Sequence, residues 1–154
     1  MEQKLLLVDD QPANLVALEA ILEGGERTLL KASSGAEALK ILLKEDISLV
    51  LLDVQMPGMD GFEVAELMHQ RKDTQNIPII FVTAISKEKH YVFKGYKAGA
   101  VDYLFKPLDP VILQSKVNFF LQLDAQRRDL QEKLREAQAY RAAYEAEKQR
   151  NKKS

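Results

Sequence analysis

The sequence of 154 residues contains no cysteine, which excludes disulfide bonds, thiolate metal sites and cysteine nucleophiles and fits a reducing compartment. No apolar run is long enough to cross a membrane, and the run at residues 5–8 is too short for the core of a signal peptide. Neither sign of charge dominates, since the formal net charge is −1, and no basic excess points to nucleic acid. We therefore expect a cytoplasmic protein that binds neither a membrane nor nucleic acid directly.

Short apolar runs alternate with segments of helical periodicity over the first two thirds of the chain. The pattern predicts strands at 5–8, 28–32, 47–52, 77–82 and 103–105, and helices at 14–22, 34–44, 62–71, 87–97 and from 110 onwards. Strands that alternate with helices predict a parallel sheet with right-handed crossovers. The expected fold class is α/β, a doubly wound five-stranded parallel sheet in the flavodoxin-like order 2-1-3-4-5, with an extended C-terminal helix.

The last part of the sequence differs in character, because neither Gly nor Pro occurs after Pro110. Between residues 122 and 154, nine Lys/Arg stand against six Asp/Glu, and apolar residues recur every seven positions at Leu123, Leu130, Ala137 and Tyr144. We predict a compact domain at 1–121 and a helical extension at 122–154 that acts as a coiled coil or as a linker to an output or a dimer partner. Basic residues occupy much of the second heptad core position, so the expected homodimer through this helix is marginal.

Polar residues follow the predicted strands at their carboxyl ends. They are Asp9 and Asp10 after the first strand, Asp53 after the third, Thr83 after the fourth and Lys106 after the fifth. The carboxyl ends of parallel strands share one edge of the sheet, where ligands bind. We therefore expect three carboxylates, a hydroxyl and an ammonium group to meet in one small cleft.

Three clustered carboxylates repel one another and are not all ionised without a counter-ion. Two outcomes stay open: the cluster binds a hard divalent cation such as Mg²⁺, or one carboxyl is protonated in the empty protein. An aspartate beside Mg²⁺ and a lysine can attack phosphorus, and Thr83 could hydrogen-bond a transferring oxygen. The pattern therefore indicates phosphoryl transfer to a carboxylate.

Four motifs at these strand ends resemble the successive signatures of bacterial two-component response-regulator receiver domains. The motifs are Val8-Asp9-Asp10, Leu52-Asp53-Val54-Gln55-Met56-Pro57-Gly58-Met59-Asp60-Gly61, Val82-Thr83-Ala84 and Phe105-Lys106-Pro107, and the resemblance covers Lys4 to about Leu121. It implies a chemotaxis-regulator-like domain that takes a phosphoryl group from a sensor histidine kinase or a phosphotransfer protein. Such a domain is not an enzyme with a separate substrate, because it catalyses only its own phosphorylation and dephosphorylation.

The resemblance also implies a role for each site residue. Asp53 is then the phosphoacceptor, and Asp10, Asp53 and the backbone carbonyl of Gln55 bind Mg²⁺ or Mn²⁺ directly, while Asp9 supports the metal through water. Thr83 and Lys106 bind the phosphoryl oxygens. On phosphorylation Thr83 moves toward the phosphoryl group and Tyr103 packs inward, which reshapes the face near the last helices and the extension. The Lys106–Pro107 bond is expected to be cis.

Two other functions stay open. An aspartate-nucleophile phosphatase of the haloacid dehalogenase type needs a second Asp two residues after the nucleophile, and Gln55 stands at that position. A phosphate-independent dimerisation scaffold would use the helical extension and leave the acidic cluster idle. Gly58 and Gly61 are interpreted as glycines that a loop conformation requires. The output that the domain would control is not predicted by the sequence.

Overall fold

The structure is a computed structural model that describes residues 2–84 and 102–153. The helix predicted over 87–97 lies outside these residues. The elements in chain order are β1 (Gln3–Val8), α1 (Pro12–Leu22), β2 (Arg27–Ala32), α2 (Gly35–Lys44), β3 (Leu49–Leu52), α3 (Gly61–His69), β4 (Ile79–Thr83), β5 (Asp102–Phe105) and α4 (Pro110–Lys152).

The five strands form one parallel sheet in the order β2-β1-β3-β4-β5, which confirms the predicted fold class and strand order. The register aligns the carboxyl ends, because Val8 lies beside Leu52 and Leu52 lies beside Phe81. On the next pair, Thr83 lies beside Phe105. The residues that follow these strand ends are therefore brought to one edge of the sheet.

The central strands are apolar on both faces because a separate hydrophobic core covers each face. Leu52 and Phe81 belong to one core, which includes Phe62 of α3. Leu51 and Ile80 alternate with them and belong to the other core, which α1 and the first turns of α4 complete. This double burial explains why β3 and β4 are continuous apolar runs in the sequence.

Side-chain caps fix where α2 and α4 begin. The Ser34 hydroxyl accepts a hydrogen bond from the Glu37 amide (3.1 Å). Asp109 caps α4 by accepting from the amides of Val111 (2.9 Å) and Ile112 (3.3 Å). Several predicted boundaries were wrong by one or two residues: α3 ends at His69 and not at residue 71, β3 begins at Leu49 and not at residue 47, and β4 spans Ile79–Thr83 and not 77–82.

The described chain divides into two compact units, Met1–Leu121 and Gln122–Ser154. The first unit contains the sheet. The second consists of the later turns of α4, and nearly all of its side chains are exposed. Among the described helices, none combines the length and the apolar composition that crossing a membrane requires.

Candidate functional site at the carboxyl ends of the strands

Three carboxylates meet at the carboxyl edge of the sheet, as the order of the strands led us to expect. One oxygen from each of Asp9, Asp10 and Asp53 lies within 4.8 Å of the other two. Asp9 and Asp53 are buried and Asp10 is half-buried. Clustered carboxylate oxygens are the donors that hard divalent cations prefer, so the arrangement is suited to a cation and repulsive without one.

Lys106 brings the positive charge to this cluster. Its Nζ lies 3.2 Å from Asp9 Oδ2 and 3.9 Å from Asp53 Oδ2. The ammonium group is therefore hydrogen-bonded to Asp9 and in looser electrostatic contact with Asp53. The sequence predicted that Lys106 lies at this edge, but it did not predict that Asp9 would be the nearer partner.

The pKa of the Asp53 carboxyl is raised from 3.8 to about 6, mainly because burial removes water from the ionised form. The neighbouring Asp9 acts in the same direction. Lys106 lowers it, as do hydrogen bonds from the backbone near Gln55 and Val54. Asp53 is therefore mostly ionised near neutral pH, although burial makes its ionised form unfavourable, and a bound cation would stabilise that form.

Backbone hydrogen bonds hold the two buried aspartates in place. The Asp53 amide donates to the Val8 carbonyl (3.0 Å), and the Asp9 amide donates to the Ala32 carbonyl (3.1 Å), so both residues continue the pairing of their strands. The Asp9 side chain is held at both oxygens, since Oδ1 accepts from the Gln11 amide (2.9 Å) while Oδ2 accepts from Lys106. The Asp9 carboxylate is thus held by one backbone and one side-chain donor.

Thr83 and Lys106 lie close together at the ends of the neighbouring strands β4 and β5. Thr83 is the last residue of β4 and is buried, and the Lys106 amide donates to its carbonyl oxygen (2.9 Å). The peptide bond between Lys106 and Pro107 is cis, as the resemblance implied. The structure therefore brings all the predicted strand-end side chains to the same edge of the sheet.

Tyr103 is packed inward in this structure, with only 7% of its surface exposed. Its ring stacks on that of Phe105, with 5.6 Å between the centroids, and lies 5.3 Å from that of Phe81. The sequence hypothesis placed this inward packing after phosphorylation.

Gly61 was interpreted wrongly from the sequence. Gly58 has the positive φ of +77° that a loop glycine was expected to supply, but Gly61 has no positive φ and is the first residue of α3. A Cβ atom at Gly61 would lie 2.3 Å from the carbonyl oxygen of Asp53. The residue therefore permits a close approach of two backbone segments, a contact that leaves no sequence signal except the glycine itself.

Comparison with known proteins places this geometry in a family. Residues 5–118 match the response regulator receiver domain. The chain is 41% identical over 118 residues to the Vibrio cholerae protein named "Probable cyclic di-GMP phosphodiesterase", which corresponds to 77% of this chain and 26% of that protein. It is 36% identical over 118 residues to Protein PilH of Pseudomonas aeruginosa, which corresponds to 77% of this chain and 97% of PilH.

A solved structure shows the same fold. It is the receiver domain of a sensor histidine kinase from Pseudomonas aeruginosa, described with a magnesium ion coordinated in its active site cleft; it has a TM-score of 0.71 and 25% identity, covering 79% of this chain and 99% of that domain. The chain spans about a quarter of the first relative's length and nearly all of PilH. Because the family match covers the sheet and the strand-end cluster, the chain belongs to the response regulator receiver domain family.

Proposed function

We propose that Asp53 accepts a phosphoryl group from a sensor histidine kinase or a phosphotransfer protein, in the cytoplasm and with the help of Mg²⁺. The observation that carries this proposal is the contact of a buried Asp53 carboxylate with a lysine and two further carboxylates at the carboxyl edge of a parallel sheet. The chain then works as a signalling module that modifies itself.

The transfer needs no separate general base. A bond forms between an Asp53 carboxylate oxygen and phosphorus, while the bond from phosphorus to the donor's leaving atom breaks, and that atom keeps the electron pair. Lys106 would neutralise charge on the transferring oxygens, and the Thr83 hydroxyl would donate a hydrogen bond to one of them. Gln55 is not an acid or base, which argues against repeated turnover of the aspartyl phosphate by a phosphatase mechanism.

The donor set of the site fits Mg²⁺ or Mn²⁺, since three carboxylate oxygens are already gathered within 4.8 Å. Asp10, Asp53 and the backbone carbonyl of Gln55 would hold the ion directly. Asp9 would act through water, because its two oxygens already accept hydrogen bonds from Gln11 and Lys106. When bound, the ion supplies positive charge to the phosphoryl oxygens. The magnesium described for the related histidine-kinase receiver supports this assignment.

A small phosphodonor such as phosphoramidate tests the proposal directly. With Mg²⁺ we expect intact-protein mass spectrometry to show one added phosphoryl group, lost on treatment with base, and no addition with EDTA. Asp53→Asn is the matched control and should remain unlabelled. Repeated release of phosphate from the donor would instead support a phosphatase, and labelling of neither protein would favour the scaffold.

We also propose that Thr83 and Tyr103 report phosphorylation. Because the Tyr103 ring already packs between Phe81 and Phe105, the phosphoryl group would act by drawing in Thr83 and stabilising this packing. NMR spectra of the Tyr103 ring should then show slower ring flipping after phosphorylation. Unchanged Thr83 and Tyr103 resonances in the phosphorylated protein would contradict this role.

The extension at 122–154 is proposed to pair with the same helix of a second copy. Three of its apolar residues at seven-residue spacing are exposed: Leu123 (45%), Leu130 (67%) and Tyr144 (60%). A stripe with this spacing is self-complementary between identical helices. Sedimentation velocity should detect a weak dimer that Leu130→Glu abolishes, with phosphorylation shifting the equilibrium. A monomer at every concentration, with or without the phosphoryl group, would leave the extension as a linker.

A further inference from the structure

The first residue of α3 lies directly against the backbone of Asp53. A Cβ atom built at Gly61 would be 2.3 Å from the Asp53 carbonyl oxygen, 2.9 Å from Val54 Cα and 3.0 Å from the Asp53 carbonyl carbon. All three atoms belong to backbone. An added methyl group could therefore not be accommodated by rotating a side chain, and the helix or the peptide unit after Asp53 would have to move.

Hydrogen bonds fix α3 in this position. The Gly61 amide donates to the Val54 carbonyl oxygen (2.9 Å), which joins the start of the helix to the residue that follows Asp53. One residue earlier, the Asp60 carboxylate accepts from the Glu63 amide (2.9 Å) and caps the helix. The first turn of α3 is thus bonded to itself and to the segment that leads from Asp53 toward Gln55.

We propose that Gly61 is a positioning residue for the phosphoacceptor: its lack of a side chain lets α3 close on the peptide unit between Asp53 and Val54, and this contact sets where the Asp53 carboxylate and the Gln55 carbonyl lie. The proposal rests on the function proposed above for Asp53. Ordinary contacts between heavy atoms lie near about 3.5 Å, so a methyl group at 2.3 Å demands a movement of roughly 1 Å. A misplacement of that size is enough to cost about a hundredfold in a reaction that depends on positioning.

Gly35 offers a matched control within the same chain. It is likewise buried and is the first residue of α2, and a Cβ there would lie 2.8 Å from Val64 Cγ2 and 3.1 Å from Met59 Cβ and Cγ. These neighbours are side-chain atoms. Gly35→Ala therefore also adds one methyl group at a crowded helix start, but it presses on side chains and not on the backbone of the site.

The experiment compares Gly61→Ala, Gly35→Ala and the unaltered protein in three measurements. Mn²⁺ affinity is measured by electron paramagnetic resonance, the rate of phosphorylation by phosphoramidate is measured with saturating Mg²⁺, and amide NMR shifts of Val54 and Gln55 are recorded without metal. For Gly61→Ala we expect Mn²⁺ binding weaker by about tenfold to a hundredfold, the range typical of changes around metal ligands. We also expect slower phosphorylation and displaced Val54 and Gln55 resonances, whereas Gly35→Ala should lose stability and keep all three properties.

Equal effects of the two substitutions would overturn the proposal, because Gly61 would then act only through general packing. If Gly61→Ala is partly unfolded, all proteins are measured in sucrose, which favours the folded state. A variant that stays unfolded in sucrose would make Gly61 a folding residue and would also overturn the proposal. If the unaltered protein takes no phosphoryl group and binds no Mn²⁺, the proposed function fails, while the NMR comparison still decides whether Gly61 positions the Asp53 segment.

Discussion

The strand ends of the first unit and the helix of the second differ in what surrounds their charged groups. Asp9 and Asp53 are buried beside Lys106, whereas the extension pairs Asp129 with Lys133 on an open helix surface, with more than half of each side chain exposed. Both regions contain lysine–aspartate pairs at comparable distances. Of these two sets of lysine–aspartate contacts, only the one at the strand ends is largely removed from water, so that each charge there depends on the others. Distance alone therefore does not indicate how strongly a charged pair is coupled.

The largest contrast is expected for leucines. Leu51 is fully buried in β3, and Leu51→Ala should lower the free energy of unfolding by about 3 kcal/mol through lost burial and a cavity. Leu130 is 67% exposed, and Leu130→Ala should change it by less than about 0.5 kcal/mol. Urea denaturation followed by circular dichroism at low protein concentration measures both. Similar losses would mean that the extension is packed against something in solution.

The next contrast concerns the two lysines. Lys106→Met keeps the stem but leaves Asp9 and Asp53 without their cation, and we expect a loss of about 2 kcal/mol in EDTA. Lys133→Met removes an exposed partner of Asp129 and should cost less than about 0.5 kcal/mol. Adding Mg²⁺ should restore much of the stability lost in Lys106→Met. An equal response of both variants would contradict the coupling described at the strand ends.

The smallest effect is expected for Asp53→Asn, which should raise the free energy of unfolding, whereas the substitutions above lower it. Because the pKa of Asp53 is raised from 3.8 to about 6, the folded protein binds this proton more tightly than the unfolded chain. Stability contributed by Asp53 is therefore present below about pH 4 and is lost as the pH rises through about 6. Asp53→Asn should raise the free energy of unfolding by about 1–2 kcal/mol at neutral pH in EDTA and have no effect near pH 4.

Urea titrations of both proteins across this pH range, with and without Mg²⁺, check the sign. Mg²⁺ should raise the free energy of unfolding more for the unaltered protein than for Asp53→Asn. The unaltered protein should then be the more stable of the two when Mg²⁺ is present. A gap that stays constant with pH would show that Asp53 has an ordinary pKa in the folded protein.

The same contrast explains what the sequence could predict. Strands buried on both faces appear as apolar runs such as 49–52, and once their order is known, the residues at their carboxyl ends are neighbours. Asp53 and Lys106 could therefore be placed together although they are far apart in the chain. The extension was recognisable as a helix from its heptad spacing and its lack of Gly and Pro.

Contacts that depend on atomic distances were beyond the sequence. Whether Lys106 lies nearer Asp9 or Asp53 is decided by less than 1 Å between two competing oxygens, at 3.2 and 3.9 Å. The inward position of Tyr103 depends on the space between Phe81 and Phe105, and residue types do not specify that space. The role of Gly61 depends on the close approach of a helix to a carbonyl group. A glycine permits this approach, but its presence in the sequence does not predict it.

The hydrogen bond from the Lys106 amide to the Thr83 carbonyl has a mechanical consequence. Thr83 ends β4 and Lys106 directly follows the end of β5, so the distance between their backbones is set by the spacing of neighbouring strands, about 4.8 Å. A phosphoryl group bound by both residues would therefore be held by two groups whose separation the sheet fixes. A displacement of either backbone would strain the hydrogen bonds between β4 and β5, so a movement of Thr83 toward the phosphoryl group would be transmitted to both strands.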